Sequence, residues 1–184
     1  MKRMMDLMLS LSALVLLFPL MLVTAIAVAA ESGRPVLFVQ QRIGRGGREF
    51  CMFKFRSMVK NAAALGPYHT SSNDPRSTRV GRFIRRTSLD ELPQLLNVLK
   101  GDMSLVGPRP DVPAQRANYS EADWNERCSV RPGITGLAQA QLRSQATPAQ
   151  RLALDLQYVR ECSLALDLRI LGWTLARVGG QGSN

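Results

Sequence analysis

Residues 7–30 form the longest apolar run in the chain and carry no charge. At 1.5 Å per residue such a helix is long enough to cross a ~30 Å hydrocarbon layer. Three readings compete. Lys2 and Arg3, followed later by Ala27-Val28-Ala29, fit a secretory signal peptide. The length fits an ordinary transmembrane anchor. The flanking charges fit a re-entrant helix that enters the bilayer, bends at Pro19 and returns to the same face. Lys2 and Arg3 lie before the run and Arg34, Arg42, Arg45 and Arg48 after it, so both ends are basic. Pro19 removes one backbone donor and clashes with the carbonyl of Val15. Ser10, Ser12 and Thr24 are available to repair the ladder in lipid. The pattern leaves the hairpin and the spanning helix open, with the signal peptide behind both.

Beyond Gly33-Arg34-Pro35 the period changes. Residues 36–43 read as a strand, Gly44-Arg45-Gly46-Gly47 as a turn tolerant of positive φ, and residues 49–58 as a second strand. Phe53 and Phe55 alternate with Lys54 and Arg56, which puts aromatics on one face and cations on the other. That basic face serves either as a solvated surface or as a seat for phosphate or lipid headgroups. Residues 61–74 carry loop signals. Arg76, Arg79, Arg82 and Arg85 then recur every third residue, a cationic stripe if the segment is helical. No acid lies between Pro75 and Leu89 to balance it.

Ser88-Leu89-Asp90-Glu91 fits a capping box, with Leu92, Leu95, Leu96 and Leu99 as the apolar face of the helix it would start. Pro93 disagrees. It is the fifth residue of a helix capped by Ser88, where its missing N–H costs a hydrogen bond; with Asp90 as cap it falls where no donor is needed. Adjacent carboxylates after an arginine cluster also suit attack on phosphorus or retention of a divalent cation. Helix cap and catalyst stay open on local signals, and conflicts of this kind gather at functional sites.

Gly101-Asp102-Met103 ends that helix. In Val106-Gly107-Pro108-Arg109-Pro110, two prolines fix the backbone around Arg109, whose guanidinium suits phosphate. Arg131-Pro132-Gly133-Ile134-Thr135-Gly136-Leu137 is a second loop of this type, its glycines allowing close approach to a ligand. Two helices close the chain. Leu152, Leu156 and Val159 line the first; Ser163 caps the last, with Leu164, Leu168, Leu171 and Leu175 at one-turn spacing and Trp173, Arg169 and Arg177 suited to an interface.

Composition narrows the chemistry. The 184 residues hold 24 Lys+Arg and 14 Asp+Glu, a formal charge of +10 that favours an anionic partner. Cys51, Cys128 and Cys162 are odd in number and contain no CxxC pair, which fits reduced thiols better than disulfides or zinc. His69 is the single histidine, which argues against a histidine-rich metal site or a histidine-based triad within the chain.

The run 87–110 closely resembles the bacterial sugar transferases, the monotopic polyprenyl-phosphate phosphoglycosyl transferases, in their small form. The likeness takes in Lys2-Arg3 with Asp6, the apolar segment with Pro19, Gln41-Arg42-Ile43-Gly44, Lys54-Phe55-Arg56-Ser57-Met58, Asn73-Asp74-Pro75-Arg76 and Arg131-Pro132-Gly133-Ile134-Thr135-Gly136. The resemblance implies an α+β, mainly helical fold. Residues 1–32 would be a re-entrant membrane helix kinked near Pro19. Residues 33–178 would be a membrane-associated catalytic domain with a short β-hairpin and interfacial amphipathic helices, and 179–184 a flexible tail. It further implies transfer of a sugar phosphate from a UDP-sugar to polyprenyl phosphate on the cytoplasmic face of the bacterial inner membrane, as the first membrane step of glycoconjugate assembly. Asp90 would be the nucleophile, forming a phosphosugar–aspartate and releasing UMP. Glu91 would assist, both carboxylates serving Mg²⁺, with Arg85, Arg109, Arg131, Gly133 and Thr135 binding phosphate or substrate.

Asp6 is expected to pair with Arg3. Membrane lipids are expected partners and nucleic acid is not; a homodimer is compatible with the pattern. Residues 61–74 and 139–147 are the expected sugar readers, although no rule turns them into a particular sugar. A membrane-tethered basic module that binds anionic lipid or nucleic acid without catalysis explains the charge, but not Arg109, the glycine loops or the carboxylate pair.

Overall fold

The computed structural model of the chain describes residues 1–62, 65–66, 74–142 and 147–179. The fold is α+β and mainly helical, as the resemblance implies. In chain order come α1 (Lys2–Ser32), β1 (Leu37–Ile43), β2 (Glu49–Phe55), α2 (Arg79–Arg86), a 3-10 turn (Leu89–Glu91), α3 (Gln94–Lys100) and β3 (Ser104–Val106). A 3-10 segment (Pro113–Asn118), α4 (Glu121–Arg127), β4 (Gly133–Thr135), α5 (Leu137–Gln141), α6 (Pro148–Glu161) and α7 (Leu164–Gly179) follow.

α1 is one helix that runs through Pro19. Thr24 Oγ1 donates to the Leu20 carbonyl at 2.8 Å, not to the Val15 carbonyl that Pro19 frees, and Ser10 Oγ is buried without a partner. Asp6, Ser10, Thr24 and Val28 are buried, with Ala13, Leu14, Met21 and Ala25 packed beside them. These positions recur every three or four residues, so one stripe of α1 lies along the domain. The opposite face exposes Leu11, Val15, Leu16, Phe18 and Leu22, an apolar surface too long for a water-facing helix.

Both ends of α1 are bonded to the same domain. Lys2 Nζ lies 2.6 Å from Asp167 of α7, and Arg3 donates to the carbonyls of Val98 and Leu99 at the negative end of α3. Asp6 does not pair with Arg3: it accepts from Ser104 Oγ at 2.9 Å and from the Leu105 N–H at 3.1 Å, tying α1 to β3. At the other end, Arg56 donates to the Ser32 and Gly33 carbonyls, and Glu31 accepts from the N–H groups of Arg79 and Val80.

β1 and β2 form the expected antiparallel hairpin, with Leu37 opposite Phe55 and Ile43 opposite Glu49. Gly46 and Gly47 take φ of 68° and 74° in its turn. β3 and β4, which the pattern did not reveal as strands, pair in parallel and draw the two proline-glycine loops together. The main core joins Met52 of β2, Leu95 and Val98 of α3, Met103, Val106, Leu137, Tyr158 and Ile170. Burying an aliphatic side chain of this size contributes about 1.5–3 kcal/mol.

Three helical expectations change. The cationic stripe begins at Arg79, because Arg76 sits in the preceding turn with its NH2 2.6 Å from Asp74 Oδ2. The segment after α2 is not one helix. Ser88 takes φ 58° with no side-chain cap bond, so there is no capping box there, and Pro93 is the N-cap of α3. Pro93 thus stands where its missing N–H costs nothing. Starting α3 so late rotates its buried face, leaving Leu96 exposed and Val98 fully buried. In α7, Ile170 and Asp167 face inward while Leu168, Trp173 and Leu175 are exposed. Ser163 does cap α7, and Thr147 with Gln150 forms a capping box on α6.

Candidate active site

The turn after α2 brings Asp90 and Glu91 together in unlike surroundings. Ser88 closes α2 as a left-handed residue, its N–H donating to the Arg85 carbonyl, where glycine is the usual choice. A non-glycine residue held there costs about 1 kcal/mol. The reversal drops the chain into the Leu89–Glu91 turn beneath β2.

Glu91 is a paired carboxylate. Its Oε1 accepts from Lys54 Nζ at 2.8 Å and from Arg109 NH2 at 2.9 Å. Burial alone would push its pKa up; Arg109 and Lys54 overrule that and hold it well below the usual carboxylate range. Lys54 in turn is pulled down by burial, which the Glu91 charge opposes. Asp90 is the reverse case. It is 8 % exposed and has no hydrogen-bond partner or ion pair among the described residues. Burial raises its pKa from 3.8 to about 6, against the downward pull of Lys54, and the Glu91 charge adds to the rise. Arg85 and Arg109 act on Asp90 through space.

Each neighbour is held by its own scaffold. Asn97, fully buried in α3, accepts from the Phe53 N–H at 3.0 Å and donates to the Cys51 carbonyl at 2.7 Å. This clamps β2 and fixes where Lys54 starts. The Arg109 loop is clamped at four successive carbonyls: Pro108 by the Gly133 N–H, Arg109 by Arg127, Pro110 by Arg42 and Asp111 by the Ile43 N–H, at 2.6–2.9 Å. Arg127 is 7 % exposed and also binds Asp111 at 2.6 Å and Asp155 at 2.9 Å. The prolines therefore supply only part of the rigidity. Arg42 lies beside the site, its pKa lowered to about 10 by burial and by Arg109, so it stays cationic at neutral pH.

The structure gathers Asp90, Glu91, Arg85 and Arg109 into one site. It gives Arg131, Gly133 and Thr135 work behind that site. Arg131 Nε donates to the Gly101 carbonyl at the end of α3, and buried Thr135 shares a hydrogen bond with Thr174 of α7. The close approach at Gly133 is to the chain's own backbone, since a Cβ there would sit 2.1 Å from the Gly107 nitrogen. Pro19 lies within α1, away from the carboxylates in sequence. The loops 61–74 and 139–147 fall partly outside the described residues, as does His69.

Lys54 was legible only as part of a basic strand face. Arg127, Asp111, Asp155 and Asn97 carried no signal in the pattern, because a buried polar residue looks like a surface one until its partners are known.

No group of three or more His, Cys, Asp or Glu side chains stands together among the described residues. Asp90 and Glu91 fit Mg²⁺ in the mode that uses one or two carboxylates and completes its shell with substrate phosphates. With Lys54 and Arg109 already on Glu91, the pair has little call for a cation until phosphates arrive.

A family model described as bacterial sugar transferase matches residues 1–181. The chain is 46 % identical over 188 residues to a UDP-glucose:undecaprenyl-phosphate glucose-1-phosphate transferase of Xanthomonas campestris, covering 98 % of this chain and 39 % of that protein. It is 42 % identical to a UDP-N-acetylgalactosamine-undecaprenyl-phosphate N-acetylgalactosaminephosphotransferase of Aeromonas hydrophila, covering 96 % of this chain and 43 % of the relative. A third relative, the exopolysaccharide production protein PSS of Rhizobium leguminosarum, is 44 % identical over 95 % of this chain and 92 % of its own length. The chain thus spans less than half the length of the first two.

Proposed function

Since the chain belongs to the bacterial sugar transferase family, we propose that it moves a sugar phosphate from a UDP-sugar to undecaprenyl phosphate. The observation that carries the mechanism is the asymmetry of the carboxylates. Glu91 is neutralised by Lys54 and Arg109, whereas Asp90 is buried, without a hydrogen-bond or ion-pair partner among the described residues, and surrounded by cations. A carboxylate stripped of water and left without a donor is poised to attack.

An Asp90 oxygen attacks the phosphorus bonded to the sugar. A P–O bond forms to Asp90, the bond to the bridging oxygen breaks, and that oxygen leaves with UMP. A phosphate oxygen of the lipid then attacks the same phosphorus, breaks the bond to Asp90 and restores the carboxylate. The product is a polyprenyl-diphosphate sugar. Arg109, Lys54 and Arg85 offset the repulsion between the carboxylate and an anionic diphosphate. Glu91 holds the first two of these in place. Asp90 and Glu91 are the residues that would hold Mg²⁺, which supplies further neutralisation of the phosphates.

Topology belongs to the same reading. Because both ends of α1 are bonded to one domain, a cytoplasmic domain brings both ends to the cytoplasmic face of the inner membrane, with the apolar face of α1 dipping into lipid. Cysteines introduced at positions 2 and 34 are expected to label from the same side; opposite labelling overturns the re-entrant arrangement.

The reaction is tested by incubating the purified chain with undecaprenyl phosphate, Mg²⁺ and a panel of UDP-sugars. At least one sugar is expected to release UMP, and Asp90→Asn to release none. Full turnover by Asp90→Asn overturns the nucleophile.

A further inference from the structure

α1 and α2 pack against each other and line one cavity. Val28 of α1 and Ile84 of α2 pack in a shared cluster, and Glu31 seals one end by accepting from the first N–H groups of α2. Between them lies a half-open cavity of about 370 Å³ lined by Leu20, Val23, Ala27, Phe83, Ile84 and Leu89. Thr24 also lines it, but its hydroxyl is spent on the Leu20 carbonyl, so it offers the cavity no free donor. Thr24 and Arg79 are the polar residues among those that line it.

Two features say what fills it. The first is its neighbourhood: Leu89 lines the cavity and Asp90 is the next residue of the same turn, so a chain lying in the groove ends close to the turn that carries the nucleophile. The second is its setting in the membrane-facing part of the molecule. Leu20, Val23 and Phe83 are each at least 40 % exposed and continue the bare apolar face of α1. Exposed apolar walls, one of them supplied by the turn that carries Asp90, match an amphiphile whose phosphate is the reacting group. Water filling such a groove would leave large apolar side chains hydrated, which burial of a hydrocarbon chain relieves.

We propose that the groove between α1 and α2 seats the phosphate-proximal isoprene units of the polyprenyl phosphate acceptor. The proposal rests on the transfer reaction above and adds where the lipid chain runs. Held there, the acceptor presents its phosphate to the phosphosugar on Asp90 after the nucleotide has gone. The groove contributes to the second half-reaction and not to the first.

That division makes the test. The full chain in nanodiscs is assayed for exchange of labelled UMP into UDP-sugar without acceptor, which reads the first half alone. Transfer is then measured against undecaprenyl phosphate concentration. Val23→Trp and Ala27→Trp fill the groove; Leu16→Trp places the same bulk on the far apolar face of α1. The filled variants are expected to keep UMP exchange while KM for undecaprenyl phosphate rises about tenfold, the factor that about 1.4 kcal/mol of lost binding produces. Leu16→Trp is expected to match wild type in both assays.

An unchanged KM in both filled variants overturns the proposal and leaves ordinary bilayer chains as the occupants. If the bulky variants lose exchange as well, Phe83→Ala decides, since it opens an exposed wall without new bulk: a raised KM supports the groove and an unchanged one overturns it. A wild-type protein that exchanges no UMP contradicts the covalent reading underneath, separately from the groove.

Discussion

Replacing Asp90 by Asn is expected to stabilise the protein while abolishing its turnover. Burial lifts the Asp90 pKa from 3.8 to about 6, and each pKa unit corresponds to 1.36 kcal/mol. Keeping that carboxylate ionised in the folded state therefore costs about 3 kcal/mol at neutral pH. The sign follows from the raised folded pKa. The folded chain binds the proton more tightly than the unfolded one, so the cost is absent below the unfolded value of 3.8, grows as pH rises to about 6 and is full above it. Asn mimics the neutral acid and escapes the cost. Wild type and Asp90→Asn should be nearly equal in stability at pH 4 and differ by about 3 kcal/mol at pH 8, the variant being the more stable. For a chain of this length that is a Tm difference of about 6–12 °C. Unfolding followed by Trp124 and Trp173 fluorescence in detergent micelles measures it. A variant less stable than wild type at pH 8, or a difference that does not change with pH, refutes the view of Asp90 as a strained, unpartnered carboxylate.

Glu91→Gln is expected to act in the opposite direction. It leaves Lys54 and Arg109 without their anion and lowers stability by about 1–3 kcal/mol at pH 7, read by urea unfolding. Because the Glu91 pKa is depressed, its contribution is full above the ordinary value of 4.5 and is lost progressively as pH falls below it. Arg127→Met strips a buried cation from Asp111 and Asp155 and frees the Arg109 carbonyl; a loss of about 3–5 kcal/mol is expected by denaturant titration. Ser88→Gly is expected to gain up to about 1 kcal/mol, because Ser88 is a left-handed residue without a cap bond; a loss would restore its role as a helix cap. The initial rate of UMP release should fall as pH drops through about 6, as Asp90 takes up a proton.

Much of the fold was legible because it rests on periodicity. The alternation around Lys54 placed the β-hairpin, the uncharged run placed α1, and the spacing of Leu152, Leu156 and Val159 placed α6. The central segment stayed open where two local rules conflicted. Ser88 and Glu91 have the spacing of a capping box, but Pro93 and the left-handed Ser88 divide the segment into α2, a turn and α3. That division separates the two carboxylates into unlike environments. The acids themselves and Arg109 stood out as sequence. Asn97 and Arg127 did not, since each is defined by partners 44 and 28 positions away, and Asp6 stood out with the wrong partner, because Ser104 lies 98 positions from it. The glycines of the second loop were read as allowing close approach to a ligand; in the structure a Cβ at Gly133 or Gly136 would meet the backbone of Gly107.

The covalent step is open to direct observation. Wild-type protein mixed with its UDP-sugar and Mg²⁺, without lipid, should gain the mass of one sugar phosphate on the peptide that carries Asp90. Adding undecaprenyl phosphate should remove that mass and yield the polyprenyl-diphosphate sugar. UMP release that requires both substrates together, with no adduct on Asp90, would contradict the account.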